Sequence, residues 1–150
     1  MNKLLLPLFS GVGVALAIAV LSYSNEILSD AVLLMAPFGA TAVLVFGLPD
    51  SPLAQPKNVI LGHLITAFIG VFFVQVVGVN SFTLAFATGL GVSAMLLSKT
   101  THPPAGANPI LIMIAGQGWM FLLTPVFIGA VVIVIMGKLI QPIQKRLIEK

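Results

Sequence analysis

The chain contains no cysteine, and charged residues fill only 7% of its 150 positions. The first absence excludes a disulfide framework and a thiolate metal site. The second excludes an ordinary soluble domain, in which roughly a quarter of the residues carry charge. Hydrophobic residues make up 59% of the chain, which reads as an integral membrane protein. A chain this short has no room beyond one transmembrane domain over residues 1–150. The net charge of +3 would point to nucleic acid in a soluble protein. Here the basic residues gather at segment ends, so the charge is read as a topology signal and no nucleic-acid partner is expected.

Met1-Asn2-Lys3 before Leu4-Leu5-Leu6 has the look of a secretory leader, with Ala15-Leu16-Ala17 as its cleavage site. The apolar run continues to Leu21, longer than a leader core of about 7–15 residues, so it is expected to be a retained first helix.

The apolar runs divide the chain into six segments: about 4–22, 31–48, 59–79, 82–98, 104–116 and 120–139. Tyr23 to Asp30 forms a polar turn, and Leu48 to Asn58 a loop rich in turn-forming Pro49, Asp50, Ser51, Pro52 and Pro56. Asn80-Ser81 makes a tight connection, Trp119 suits a headgroup-level anchor, and a basic tail closes the chain. Gly11 and Gly13 are assigned to close helix packing, because no strand precedes them to make a nucleotide loop.

Two segments are broken. Pro37-Phe38-Gly39-Ala40 interrupts the second, and Thr101-His102-Pro103-Pro104-Ala105-Gly106-Ala107-Asn108 precedes the fifth. Proline lacks an N–H and cannot sit within a regular helix, but it suits the first helical turn. Helices are therefore expected to start near Pro37 and Pro104, with unpaired N–H groups and a positive dipole end that favour anions.

The two breaks align: Pro37, Gly39-Ala40 and Leu44 match Pro104, Gly106-Ala107 and Leu111, which puts Thr41 opposite Asn108. Gly11-Val12-Gly13 matches Gly89-Leu90-Gly91, and Phe68-Ile69-Gly70 matches Phe127-Ile128-Gly129. Three matches in the same order predict an internal duplication, about 4–79 and 82–140. Three crossings per half reverse the chain, so the halves are expected to be inverted copies. With both termini cytoplasmic, six crossings put Lys3, Lys57, Lys99, Lys138, Lys145, Arg146 and Lys150 inside and Glu26 and Asp30 outside, the positive-inside pattern. Four crossings, with the broken segments re-entrant, would put Lys57 and Lys99 outside. The expected fold is thus all-α: a polytopic protein of the cell membrane with about six short helices, two of them broken or re-entrant, in two inverted repeats.

At Thr101-His102-Pro103-Pro104-Ala105-Gly106-Ala107 the chain resembles the HPP family of membrane proteins, named for that tripeptide. Pro37-Phe38-Gly39-Ala40, Gln55-Pro56-Lys57-Asn58 and Gly62-His63 also look like that family's pattern. The resemblance runs over nearly the whole chain. It implies transport, since members in cyanobacteria and plant plastids are associated with nitrite, and it implies four spanning helices as the family is usually described. Some members carry attached CBS domains, and none is expected within these 150 residues.

Paired, Pro/Gly-interrupted segments in inverted halves point to a transporter site. The candidate substrate-binding residues are Pro37, Phe38, Gly39, Ala40 and Thr41 from the first break, His63 from the third segment, and Thr101, His102, Pro103, Pro104, Gly106, Ala107 and Asn108 from the second break. His102 is the candidate for proton movement, since an ordinary imidazole titrates near pH 6.5. Lys57 and Lys99 are read first as topology signals, Gln75 as packing glue between helices. The expected cargo is a small inorganic anion, most simply nitrite, with the lipid bilayer and a second copy of the chain as the other partners. A channel-like pore and a scaffold without transport are the alternatives. An intramembrane enzyme with His63 and His102 as metal ligands is disfavoured, because no carboxylate accompanies them and no nucleophile–base pair is evident. No cofactor or metal is expected.

Overall fold

Helices account for nearly all of the chain described by the computed structural model, which covers residues 5–27 and 33–148, and no strand occurs among them. The positions of Lys3, Asp30 and Lys150, and the start of the leader-like stretch, lie outside the described residues. Six α-helices follow one another: α1 Leu5–Ile27, α2 Pro37–Ala42, α3 Pro56–Phe72, α4 Ser81–Leu97, α5 Asn108–Ala115 and α6 Ile128–Ile148. Wide π-type turns extend α2 over Val43–Gly47 and α3 over Phe73–Val77, and another, Leu123–Phe127, leads into α6. A 3₁₀ turn, Pro103–Ala107, precedes α5.

Proline sets three of the starts. Pro37, Pro56 and Pro103 each occupy the first turn of their helix, where the missing N–H leaves no gap in the hydrogen bonding. Asn80 caps α4: its side chain accepts from the N–H groups of Phe82 and Thr83, and the Thr83 hydroxyl accepts from the Asn80 N–H. Gly116 ends α5 in the left-handed conformation. Two expectations shift. The polar turn expected from Tyr23 is helical to Ile27, and the basic tail expected after Leu139 is helical through Ile148. Both stretches join the preceding apolar helix without a strong stop signal, and Pro142 alone does not end α6.

Among the described residues, three stretches are long and apolar enough to cross a membrane: Leu5–Ser24, Pro56–Val77 and Trp119–Arg146. Pro37–Gly47 and Pro103–Ala115 are shorter. At about 1.5 Å per residue they reach roughly 16 and 20 Å, against a hydrocarbon core of about 30 Å. Their direction nevertheless follows from contacts. The Ser10 hydroxyl, near the start of α1, donates to the Phe46 carbonyl at the end of the second segment. At its beginning, the carbonyl of Leu33 lies against Gly129 at the start of α6. Asp50 pairs with Lys145 at 2.8 Å, and Asn58 donates to the carbonyl of Thr101. The start of α1, the 46–58 stretch, the end of α4 and the end of α6 therefore share one end of the bundle. Lys57, Lys99 and Lys145 lie at that same end, as a six-pass path requires.

The halves exchange their third helices. α6 packs along α1, while α3 packs along α4 and α5, and the two short segments meet where α2 touches the 3₁₀ turn before α5. Exchanging α1 with α4, α2 with α5 and α3 with α6 maps these contacts onto one another. Packing glycines give the register. A methyl group on Gly62 would stand 2.9 Å from the Thr100 carbonyl oxygen, and one on Gly129 would stand 2.7 Å from that of Leu33. A methyl on Gly70 would press on Ile112, and one on Gly137 on Val45. All four pairs, like Pro37 and Pro104, are separated by the same 67 positions. The expected match of Gly70 to Gly129 is thus corrected: Gly62 corresponds to Gly129 and Gly70 to Gly137. Short apolar strings cannot distinguish the two alignments, whereas close helix contact can. In lipid, where apolar burial drives little association, such small-residue contacts carry much of the packing. Gly13 acts similarly against Phe46, while Gly11 faces open space.

Candidate functional site

Four polar side chains, Thr41, His63, His102 and Asn108, are wholly buried where α2, α3 and the start of α5 meet. Local sequence explains how each arrives. Thr41 lies one turn into α2, and His63 two turns into α3. Asn108 is the first residue of α5. His102 precedes a proline, whose ring disfavours the helical region for the residue before it. Its backbone is extended, with φ −139° and ψ 97°. The segment that carries it turns away from α4 at Lys99, which has φ 54°, and its Thr101 carbonyl accepts from the Asn58 amide. Because Gly62 has no side chain, this segment lies directly against α3.

The four side chains form one hydrogen-bonded chain. Thr41 Oγ1 is 2.8 Å from His63 Nε2 and 2.9 Å from His102 Nε2. His102 Nδ1 is 2.7 Å from the Leu53 carbonyl oxygen. Asn108 Nδ2 is 3.0 Å from His63 Nδ1, 3.1 Å from the His63 carbonyl and 3.0 Å from Thr66 Oγ1. The imidazole rings are edge-on at 5.0 Å between centroids, and Phe38 closes the other side of His63 at 5.2 Å.

Donor and acceptor capacities orient the chain. A carbonyl only accepts, so His102 carries its proton on Nδ1, leaving Nε2 as acceptor. The Asn108 amide faces the His63 carbonyl with its NH₂, so His63 Nδ1 also accepts and Nε2 holds the proton. His63 Nε2–H then donates to Thr41 Oγ1, and the Thr41 hydroxyl donates to His102 Nε2. Asn108 Oδ1 is left buried without a partner. An unmatched buried acceptor is uncommon and marks a place for a donor. The duplication does not reproduce this chemistry. In the 67-residue register, His102, His63 and Thr66 correspond to Met35, Ala130 and Ile133, so the polar cluster lies on one side only.

The expected site residues divide into two groups. Pro37, Phe38, Thr41, His63, His102, Pro104 and Asn108 are buried in or around the cluster, and Thr101 and Gly106 are half-buried. Gly39, Ala40, Pro103 and Ala107 are exposed. Ala40, Pro103 and Ala107, with Pro37 and Pro104, border an almost wholly apolar groove of about 630 Å³ between the short helices. The helix starts offer fewer free donors than their position implies: the N–H groups of Phe38, Gly39 and Ala105 already bond to the carbonyls of Met35, Ala36 and His102. Two participants escape sequence reasoning. Thr66 is three residues beyond His63, a helical spacing that could have suggested it, whereas the Leu53 carbonyl has no side-chain signal. Lys57 and Lys99 are exposed, and so are Lys138, Lys145, Arg146, Glu26 and Asp50, so no charged side chain among the described residues touches the cluster. Gln75 is exposed as well.

A family model described as the HPP transmembrane region matches residues 2–148. Two transmembrane proteins of Dictyostelium discoideum are similar, each 34% identical, over 84% and 85% of this chain. The chain spans less than half the length of these relatives, 43% and 46%. No solved structure matches.

Proposed function

The chain belongs to the HPP transmembrane family, and from that premise we propose that it is a membrane transporter of a small inorganic anion, most simply nitrite, rather than an enzyme. The observation that carries this reading is the wholly buried Thr41–His63–His102–Asn108 cluster where the two short, broken segments meet α3. Ionisable side chains within a membrane protein are costly and mark the paths of ions and protons. Broken helices paired across a duplication are the places where transporters bind their cargo. The Thr41 hydroxyl, the two imidazoles and the Asn108 NH₂ are the groups that can donate to a three-atom oxyanion once the cluster opens. Among the described residues no three His, Cys, Asp or Glu side chains gather into a metal-binding group.

The cluster is closed in this conformation. Access therefore requires movement, and the α2–α5 contact beside the apolar groove is the natural place for it. The lipid bilayer is the medium and a second copy of the chain the proposed partner, since two short segments leave irregular backbone that lipid alone does not satisfy. The test is uptake of nitrite, nitrate, formate and chloride into liposomes containing the purified protein, with His102→Ala and Asn108→Ala as comparisons. Saturable nitrite uptake lost in both variants supports the reading. Uptake no faster than in protein-free vesicles for all four anions would leave a scaffold as the better account.

A further inference from the structure

We propose that the cluster takes up a proton together with the anion, so that the two cross the membrane as a neutral pair. This rests on the transport reading above and names its co-substrate. The geometry contains two complete hydrogen-bonding states that need no movement of heavy atoms. In the neutral state the Thr41 hydroxyl donates to His102 Nε2 at 2.9 Å. The same hydroxyl oxygen is 3.2 Å from the Pro37 carbonyl, a second acceptor within reach. When a proton is added to His102 Nε2, that N–H becomes a donor to Thr41 Oγ1. The hydroxyl hydrogen then turns to Pro37, and Thr41 Oγ1 accepts from both imidazoles. Thr41 Oγ1 and both nitrogens of His102 keep a partner in both states. His102 Nδ1–H stays on the Leu53 carbonyl throughout.

The charge balance then selects the cargo. Protonation places one positive charge in a closed, low-dielectric site. No described neighbour neutralises it: α2 and α5 carry no titratable side chain, and α3 contributes only neutral His63 and exposed Lys57. Lys99 beyond α4 is exposed, as are Glu26 on α1 and Lys138, Lys145 and Arg146 on α6, and Asp50 in the loop before α3 is held by Lys145 at the surface. A buried unpaired cation is strongly disfavoured, and so is an unpaired anion in the same place. Each therefore stabilises the other, and binding of the proton and binding of the anion are thermodynamically linked. A monovalent anion makes the pair neutral; a divalent one does not.

The experiment uses the full chain in liposomes loaded with a pH-sensitive dye, with nitrite as the probe and protein-free vesicles to subtract permeation of the free acid. The membrane potential is clamped with potassium and valinomycin. One proton should enter per nitrite, uptake should rise several-fold with an inward proton gradient, and either sign of clamped potential should leave the rate unchanged. Thr41→Ser keeps a hydroxyl that can turn and should keep the one-to-one ratio. Thr41→Val and His102→Gln should lose the response to the proton gradient. Nitrite uptake driven by the potential without acidification would overturn the coupling while leaving the transport reading in place, as would one-to-one coupling in Thr41→Val. Absence of nitrite movement under every gradient would overturn both.

Discussion

Replacing Gly62 by alanine adds a single methyl group where α3 meets the segment that carries His102. That methyl would stand 2.9 Å from the Thr100 carbonyl oxygen, 3.0 Å from His102 Cβ and 3.4 Å from Met95 Sδ. The methionine can move aside, but the carbonyl is backbone and His102 Cβ is fixed by the rest of its residue, so the segment itself must shift. Overpacking of this kind costs about 1–3 kcal/mol. In water the exchange of glycine for alanine would return about 0.8–1 kcal/mol of helix propensity. In a membrane the separated helices are already formed, so that gain largely cancels and the packing penalty remains. Gly89→Ala is the control: its methyl meets nothing within 4 Å. It should change stability by less than about 0.5 kcal/mol. The displacement also lengthens the Thr41–His102 bond, now 2.9 Å. A loss of about 1.4 kcal/mol there corresponds to a tenfold fall in rate. Reversible unfolding in detergent micelles and initial nitrite uptake should be measured for both variants. If Gly62→Ala matches Gly89→Ala in stability and transports at the wild-type rate, the close approach of the His102 segment to α3 does not hold the site together.

Thr41→Val removes the hydroxyl that both imidazoles share, and polar bonds between membrane helices are worth about 0.6–1.7 kcal/mol each. Unfolding measurements should show a loss of about 1–3 kcal/mol, whereas Thr41→Ser, which loses only a methyl group, should lose about 0.8 kcal/mol. Gln141→Leu leaves the Val45 carbonyl, whose helical donor four residues on would be Pro49 with no N–H, without its 3.0 Å donor. It should cost about 0.6–1.7 kcal/mol in the same assay, and an unchanged value would show that lipid-side water or another donor replaces it. Because the chain has no cysteine, single cysteines can be introduced freely. Those at positions 57, 99 and 145 should react with a membrane-impermeant maleimide from one side of the membrane, and one at position 26 from the other. Labelling of position 57 or 99 from the side of position 26 would contradict the six-pass path.

The sequence by itself determined the membrane class and the helix starts, and it carries the aligned breaks at Pro37 and Pro104. These properties are local or compositional: few charges leave a chain no soluble core, and a proline restricts the residues beside it wherever it occurs. Pro103 even dictated the extended backbone of His102. The pairing of the Pro37 and Pro104 breaks was legible because the motif is short and ungapped. Only the tertiary structure decided the rest. Gly62 and Gly129 correspond because both touch a carbonyl oxygen of the opposite short segment, a relation that similar apolar letters on neighbouring turns cannot express. Gly39, Ala40 and Ala107 looked equivalent to Thr41 and Asn108 in the sequence. Successive residues of a helix point in different directions, however, and packing turned Ala40 and Ala107 towards an apolar groove, left Gly39 exposed and turned Thr41 and Asn108 inward. The meeting of His63 and His102 across one hydroxyl, with a carbonyl of Leu53 completing it, joins four separate stretches of chain. Hydrogen bonding over such separations is set by how the helices pack, and no pattern along the chain encodes it.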